Sequence, residues 1–545
     1  MIDENDPREQ EHRRQLAERA AFAEARIIAR EEAQRGNVDF DATAIFDQLL
    51  EERLREMDAA DAAAEVDAWA GPKPDPDSFI DKRDGLRVRT LAAAVKERLT
   101  LGRMHLHADS DAPDPLMVYR RGVWRAGGEK AIRHAVIDLL GERHRDAHAR
   151  NVIDVLRADD DLTRLSADAP HPEYVNTLGG MLEWRTGELH DHEPNYRSTV
   201  QLPLRWEPNA TCPTVDAWFA DVLPEPGMTD FMFQVLGYMI LNGNPLHRAF
   251  LLVGSGRNGK STFLRLLEEM LGRRNCSSVP LQNLSEHRFA AAELFLKSAN
   301  VCGDLAATHL RDTSTFKQLT GGDPVFAERK HRDPFRFTWW GTPIFSANTT
   351  PGADDTSHGF LARWEVIRFG VDLSGRTDDT IEERLLAELP GVLTKSVNAL
   401  AELMAAGDFT RPAAVTDAKS SFTRHVDQVR GYVADWTTAG GWTERTKIFL
   451  DYRDWAERNN HHDLSAKKFY ERLEAAGITP KKRSGTRGFE LTLTDENERE
   501  ASGAGGAGTP SPVTYTGERV EHLPYLPPPA PEQSTSPVNP DDWFA

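Results

Sequence analysis

A strand-to-helix turn with the pattern GxxxxGKS constrains the fold of this chain more than any other feature. The apolar run Arg248–Val253 suits a buried parallel strand, and Phe263–Leu271 suits a helix that ends at Gly272. The loop between them reads Gly254, Ser255, Gly256, Arg257, Asn258, Gly259, Lys260, Ser261 and Thr262. Glycines let backbone N–H groups surround phosphates, and the helix N-terminus adds partial positive charge. The pattern predicts an α/β fold that binds ATP, with Lys260 on the β- and γ-phosphates and Ser261 on Mg²⁺.

An acidic residue on a neighbouring strand must also hold the magnesium ion. The best candidate is Asp304, which follows the apolar run Ala299–Gly303. Leu305 stands next to it, where an Asp-Glu pair is usual. Asp304 is therefore expected to support Mg²⁺ through water and also to polarise the attacking water, or else the base lies elsewhere. The alternative is an ordinary aspartate at a strand end.

The length and composition indicate a multidomain protein of the cell interior. The 545 residues are enough for three or four domains. No run of 18 apolar residues exists and the first residues are too charged for a signal peptide, so we expect a cytoplasmic protein without membrane contact. The three cysteines are widely separated, which predicts reduced thiols. The net charge of −20 does not exclude DNA binding, since local clusters of basic residues decide it.

Shifts in pattern divide the chain into five predicted regions. Residues 1–75 read as helical, and a Pro-rich linker, Ala70–Asp77, closes them. Residues 85–240 mix strands and helices, and residues 241–400 form the α/β domain. A small module follows at 428–495, and the Gly-, Pro- and Ser-rich tail 498–545 is predicted to be disordered.

Two basic clusters are candidate contacts for nucleic acid. The first lies between two alternating stretches and predicts a hairpin tip, the alternative being a solvated turn; it consists of Arg329, Lys330, His331 and Arg332. The second lies in the small module, whose pattern predicts a winged-helix-like domain: three helices, one ending near Thr437 and the others at 445–459 and 465–476, then a basic turn at 481–487 and a strand at 488–493. Its basic residues are Lys467, Lys468, Arg472, Lys481, Lys482, Arg483 and Arg487. A winged helix that docks on protein is the alternative.

Several ordered motifs carry a family resemblance. They are Val175–Leu182, His192–Tyr196, Trp206–Pro213, Phe316–Lys330, Pro343–Asn348 and Asp355–Arg363. This set resembles the C-terminal helicase half of phage and plasmid primase-helicases, a poxvirus-related branch of superfamily 3 within the P-loop AAA+ ATPases. The resemblance implies that residues 85–240 are the accessory domain that precedes such a helicase.

The resemblance also implies roles for single residues. Lys260 and Ser261 bind nucleotide and metal, and Asp304 matches the acidic motif without its usual Glu. Asn348 matches the polar sensor that positions the lytic water, and Arg363 matches an arginine finger inserted into a neighbouring subunit's site. Lys330 and His331 match the tip of a hairpin that moves single strand through a ring. Asn348 as a turn cap and Arg363 as a surface ion-pair residue remain the alternatives.

These expectations combine into an ATP-dependent DNA helicase that acts in phage or plasmid replication, in the cytoplasm of a bacterial host. It would be a homo-oligomer, expected to be a hexamer, on single-stranded or forked DNA. Residues 1–75 are too few for a priming domain, so a separate primase or replication protein is the expected partner. A nucleotide-gated DNA-binding regulator or loader is the second hypothesis. A small-molecule kinase ranks last because it leaves the basic clusters unexplained.

Overall fold

A computed structural model describes most of the chain between residues 74 and 495. The described residues are 74–81, 85–106, 114–167, 171–305, 310, 312–330, 333–376, 378, 380–459, 461 and 464–495. The predicted helices before residue 74 and the predicted tail 498–545 lie outside them. The chain divides into two compact units. The first takes in the described residues up to Met104, 114–120 and Arg125–Arg164, and the second takes in 105–106, Arg121–Trp124 and the described residues from Leu165 onward.

The first unit is built from short strands and three helices. In chain order its elements are β1 (Ile80–Asp81), β2 (Gly85–Leu86), α1 (Val88–Arg98), β3 (Thr100–His105), β4 (Leu116–Arg120), β5 (Val123–Ala126), α2 (Gly128–Leu140), α3 (Asp146–Arg157) and β6 (Thr163–Ser166). The last residues of β3 and β6 and the first two of β5 are assigned to the second unit. Each helix carries apolar residues three or four positions apart, such as Leu91 and Val95 on α1. These side chains form a core of their own with the fully buried Ile132 and Val152.

The second unit opens with a meander, continues through an α/β region and ends in a small α/β module. Its elements up to residue 426 are β7 (Tyr174–Thr177), β8 (Gly180–Glu183), β9 (Glu188–His190), α4 (Pro213–Val222), α5 (Met228–Ile240), β10 (Ala249–Val253), α6 (Lys260–Leu271), β11 (Cys276–Ser277), α7 (Leu281–Glu286), β12 (Ala299–Cys302), α8 (Ser314–Gly321), β13 (Pro324–Ala327), β14 (Phe335–Thr338), β15 (Thr342–Ala347), α9 (His358–Leu361), β16 (Trp364–Arg368), α10 (Ile381–Ala387), α11 (Leu389–Ala406) and α12 (Ala413–Val426). The predicted strand, loop and helix at 248–271 are confirmed as β10 and α6.

A five-stranded parallel sheet forms the centre of this unit. Its strand order is β11-β12-β15-β10-β16, and every neighbouring pair runs parallel. Leu251 of β10 lies opposite Phe345 of β15, which in turn lies opposite Cys302 of β12. All six residues of β15 are buried, as expected for a parallel strand whose two faces are both covered. The carboxyl ends of β10, β12 and β15 therefore meet at one edge of the sheet.

One continuous hydrophobic core runs from Val175 to Val415. Helix α5 lies inside it, since all residues from Phe231 to Ile240 are buried, and it packs against α11. The core therefore contains residues from both sides of the predicted limit at 240/241. The domain limits stay predictions. The three cysteines are free, and Cys212 and Cys302 are buried.

The C-terminal module has an aromatic core of its own. Its elements are α13 (Gln428–Trp436), β17 (Thr437–Glu444), α14 (Arg445–Arg458), α15 (Ala466–Ala475), β18 (Pro480–Arg483) and β19 (Thr486–Leu493). The strands form an antiparallel sheet in the order β17-β19-β18. Its core includes Tyr432, Trp436, Tyr452, Trp455 and Phe469. The three predicted helices are confirmed, with ends that agree to within a residue, whereas β17 was missed because Gly440 and Gly441 interrupt its pattern.

Among the described residues, none of the helices combines the length and apolar character that crossing a membrane requires.

Candidate nucleotide site and nucleic-acid surfaces

The phosphate loop needs glycine at two positions for steric reasons. A Cβ on Gly254 would lie 2.1 Å from Asn258 Nδ2 and 2.4 Å from the carbonyl oxygen of Phe369. Gly259 has φ +92° and lies against Trp218, whose ring atom would be 3.2 Å from an added Cβ. These contacts hold the loop close to the core, so that it turns directly from β10 into the first turn of α6.

Lys260 is the first residue of α6 and is only 5% exposed. Its Nζ donates hydrogen bonds to the carbonyl oxygen of Gly254 at 2.6 Å and to Asn258 Oδ1 at 2.9 Å. Burial lowers the pKa of Lys260 from its ordinary value, because an ammonium group that is poorly solvated is less stable. Both hydrogen-bond partners of this ammonium group are neutral oxygens, and a bound phosphate would give it an anionic partner.

Asn258 links the loop to a neighbouring strand, a role that sequence reasoning missed. Its Nδ2 donates to the carbonyl oxygen of Phe369 at 3.0 Å, directly after β16. Asn258 is 3% exposed, so this contact is internal rather than available to a ligand. The same side chain therefore holds both Lys260 and the end of β16.

The edge of the sheet that carries the loop also carries Asp304 and Asn348. Val253 pairs with Ala347, so Gly254 and Asn348 follow neighbouring strands at the same level. Asp304 lies two residues beyond Cys302, and the N–H of Leu305 donates to the carbonyl oxygen of Ser346 at 2.7 Å. Neighbouring strands lie about 4.8 Å apart, so Asn348 lies one strand and Asp304 two strands from the loop, on the same side of it. Both are exposed.

The donor set at this edge fits a magnesium ion. Mg²⁺ prefers oxygen ligands and keeps several waters. Ser261 offers an exposed hydroxyl in the first turn of α6, and Asp304 offers an exposed carboxylate. The structure thus brings Lys260, Ser261, Asp304 and Asn348 to one edge.

Arg363 does not join them. It directly precedes β16, and its carbonyl oxygen accepts from the N–H of Ala249, the first residue of β10, at 2.8 Å. Five residues at about 3.3 Å each separate Ala249 from Gly254, so Arg363 lies about 16 Å from the phosphate loop along the sheet. Its side chain cannot reach the nucleotide of its own chain.

The side chain of Arg363 is held within the chain. Its Nε donates to Thr320 Oγ1 at 2.9 Å, and its guanidinium also donates to the carbonyl oxygen of Gly359. Burial lowers the pKa of Arg363, while Asp323 and Asp355 act in the opposite direction.

A buried ion cluster fixes the backbone around Arg363, and sequence reasoning missed it. Glu365 on β16 is 0% exposed and accepts from Arg411 Nη2 at 2.8 Å. The carbonyl oxygen of Ala362 accepts from Arg248 Nη1 at 2.7 Å and from Lys419 Nζ at 3.3 Å. The available signal was a glutamate inside an apolar strand, since such a residue is rarely buried without partners.

The predicted hairpin is present as β13 and β14, with Val325 opposite Phe337. The guanidinium of Arg329 lies over the rings of Phe295 and Phe335, at 5.2 and 5.0 Å. Lys330 is exposed, three residues after the end of β13. His331 and Arg332 lie outside the described residues.

Six of the seven predicted basic residues of the C-terminal module are exposed on α15, β18 and β19, and Arg472 on α15 is half-buried; the exposed six are Lys467, Lys468, Lys481, Lys482, Arg483 and Arg487. Lys481 and Lys482 line a cavity of ≈ 270 Å³ together with Arg487 and Tyr470. Arg445 lines the same cavity and stacks on Tyr470, 3.9 Å from the ring centre. Sequence reasoning missed Arg445 because it lies in α14, away from the basic run.

Two protein families match the chain. A family described as D5 N terminal like matches residues 42–224, and a family of unknown function, DUF5906, matches residues 252–363. The second match extends from the end of β10 to Arg363, and so includes every nucleotide-site candidate named above.

Two viral proteins are similar over part of the chain. The putative helicase L207/L206 of Acanthamoeba polyphaga mimivirus is 25% identical over 170 residues, which is 30% of this chain and 18% of that protein. The putative helicase 022R of Frog virus 3 (isolate Goorha) is 22% identical over 279 residues, which is 45% of this chain and 28% of that protein. The chain thus spans less than a third of the length of these curated relatives.

With the motif order, these matches confirm the family resemblance: the chain is related to the C-terminal half of phage-type primase-helicases. Among solved structures, the apo C-terminal region of NrS-1 matches with a TM-score of 0.43 and 10% identity, over 74% of this chain and 98% of that chain. The α/β fold is defined by the strand order and registers given above.

Proposed function

We propose that the chain is an ATP-dependent DNA helicase of the superfamily 3, P-loop AAA+ kind, acting in phage or plasmid DNA replication. The observation that carries the proposal is the position of Arg363 at the edge of the sheet opposite to the phosphate loop. A site split in this way is completed when a second copy brings its Arg363 to the loop. The ring expected of such a motor, a hexamer, uses this arrangement at each interface.

In the proposed reaction each residue of the carboxyl edge takes part in binding or in hydrolysis. The loop N–H groups and Lys260 bind the phosphates, and Asn348 orients the attacking water. Ser261 and Asp304 would hold Mg²⁺, which neutralises the charge that develops on the phosphates. Arg363 of the neighbouring copy stabilises the same charge. Leu305 is 2% exposed and apolar, so Asp304 also acts on the water.

The nucleic acid is proposed to contact two basic surfaces. Lys330, with His331 and Arg332, would grip the phosphates of a single strand or fork at the hairpin. The C-terminal module has the element order helix, strand, helix, helix, strand, strand, which supports a winged-helix assignment. Lys482 and Arg483 would contact phosphates there. A separate primase or replication protein is the proposed partner.

A second candidate is a nucleotide-gated DNA-binding regulator or loader that does not unwind. The residue beside Asp304 favours it, because a buried leucine in place of a glutamate removes the usual base.

A strand-displacement assay on a forked duplex separates the two candidates. The helicase proposal expects unwinding that requires hydrolysable ATP and Mg²⁺, and rings in electron micrographs with an ATP analogue and single strand. Nucleotide-dependent DNA binding without displacement of a strand would support the regulator instead.

A further inference from the structure

Helix α8 (Ser314–Gly321) leads directly into the hairpin. Only Gly322 and Asp323 separate the helix from β13, and the N–H of Asp323 donates back to the carbonyl oxygen of Gln318 at 3.0 Å. A connection this short and hydrogen-bonded leaves little slack. A tilt of the helix therefore moves the first strand of the hairpin.

The N-terminal half of α8 is tied to the segment that follows Asn348. Asp355 Oδ2 accepts from Lys317 Nζ at 2.8 Å and from Thr313 Oγ1 at 2.5 Å. The N–H of Ser357 donates to Asp355 Oδ1 at 2.9 Å. Burial raises the pKa of Asp355, but the hydrogen bonds from Lys317, Ser357 and Thr313 outweigh it and hold the pKa below its usual range. Asp355 is thus charged and bound.

The segment between Asn348 and Asp355 is held by Leu310. The N–H of Leu310 donates to the carbonyl oxygen of Gly352, and the N–H of Asp354 donates to the carbonyl oxygen of Leu310, each at 2.9 Å. The segment begins at Asn348, directly after β15. A shift of Asn348 at the nucleotide edge therefore has a backbone route to Asp355.

The C-terminal half of α8 is tied to Arg363. The hydroxyl of Thr320 is buried, donates to the carbonyl oxygen of Phe316 at 2.7 Å and accepts from Arg363 Nε at 2.9 Å. The ring of Phe316 stacks on Trp364, the residue after Arg363, at 4.7 Å between ring centres. Both halves of the helix thus contact segments of the candidate site.

We infer that α8 is the positioning element between the nucleotide site and the hairpin, with Lys317 and Asp355 linking it to the chain's own nucleotide and Thr320 linking it to Arg363. The inference rests on the proposed function. A helix of eight residues moves as one rigid body, so a change at either contact changes the position of β13. The motifs Phe316–Lys330 and Asp355–Arg363 are joined by these two contacts.

The Lys317–Asp355 pair can be tested apart from folding. Its side chains are 38% and 19% exposed, and partly exposed ion pairs contribute little to stability. The chain offers a matched control in Lys96–Asp159, which has a distance of 2.7 Å and exposures of 36% and 21%. Lys317→Met keeps the aliphatic part of the side chain and removes the positive charge, whereas Lys317→Arg keeps the positive charge.

Hydrogen exchange of residues 324–338 measures the link directly. In the full-length protein, a non-hydrolysable ATP analogue with Mg²⁺ is expected to change exchange in this segment. The change should disappear in Lys317→Met and persist in Lys317→Arg and Lys96→Met. DNA stimulation of ATP turnover should fall about fivefold or more in Lys317→Met, a factor typical of lost coupling between sites, with basal turnover retained.

Three outcomes would overturn the inference: no nucleotide-dependent change at 324–338 in the wild type, an unchanged response in Lys317→Met, or loss of its basal turnover as well, which would mark the pair as structural. Failure of the proposed function has a different signature. There the analogue alters exchange in the hairpin through Lys317, yet no forked duplex is unwound.

Discussion

At its carboxyl edge the central sheet ends beside Gly254, Asp304 and Asn348, whereas its amino edge begins beside Arg363 and Glu365. The first edge leaves Asp304 and Asn348 exposed to solvent. The second is filled by a fully buried glutamate and the cations around it. A site that binds an exchangeable ligand must be accessible from solvent. An arginine that must reach another chain needs a rigidly held backbone.

Arg363→Ala should have the largest effect on activity. An arginine finger contributes on the order of 10³-fold or more to turnover, so ATP hydrolysis should fall by about that factor. Phosphate release measures the loss. Each site in the proposed ring combines the phosphate loop of one subunit with Arg363 of its neighbour. Mixing the Arg363→Ala and Lys260→Ala variants therefore creates some intact sites and should restore part of the activity. No recovery on mixing would contradict the shared site.

Lys260→Ala should reduce hydrolysis by on the order of 10²- to 10³-fold, the usual effect of removing one preorganised donor to developing charge. The same phosphate-release assay applies, with Lys96→Ala as the control for loss of a lysine elsewhere. Folding should be retained, because the hydrogen bonds of Lys260 lie within the loop. Ordinary DNA-stimulated turnover in this variant would refute the assignment of the phosphate loop.

Glu365→Leu, at the amino edge, should lower the free energy of unfolding far more than a substitution at the carboxyl edge. It leaves Arg411 and Arg248 next to a buried apolar group, and breaking a buried ion pair costs about 3–5 kcal/mol. Asp304→Asn, on the exposed edge, should change the free energy of unfolding by less than about 0.5 kcal/mol. Urea unfolding of both variants measures the difference. Equal losses would mean that the edges do not differ in this way.

Lys482→Ala should have the smallest effect. If Lys482 contacts one phosphate, its loss should lower the slope of log affinity against log salt by about 1 and weaken binding to all sequences alike. Fluorescence anisotropy with single-stranded and forked DNA measures it. Lys447→Ala, an exposed lysine on α14, is the control. A slope that stays unchanged would argue that the module docks on protein.

Much of the local structure was predictable because its signals are local. The phosphate loop, the hairpin and the helices of the C-terminal module each follow from a short run of residues. The cluster around Glu365 was not predictable, since Arg411 lies 46 residues away in the chain. The bridge from Asn258 to Phe369 spans 111 residues, and no pattern in the loop indicates it.

The sequence by itself determined that a strand, a glycine-rich turn and a helix present Lys260 and Ser261 together, because neighbouring residues set that geometry through backbone conformation. Only the tertiary structure decided that Asn348 and Asp304 lie at the same edge of the sheet as this turn while Arg363 lies at the opposite edge. The reason is that parallel pairing of β12, β15, β10 and β16 aligns residues from distant segments, and the registers of those pairs depend on packing across the whole sheet.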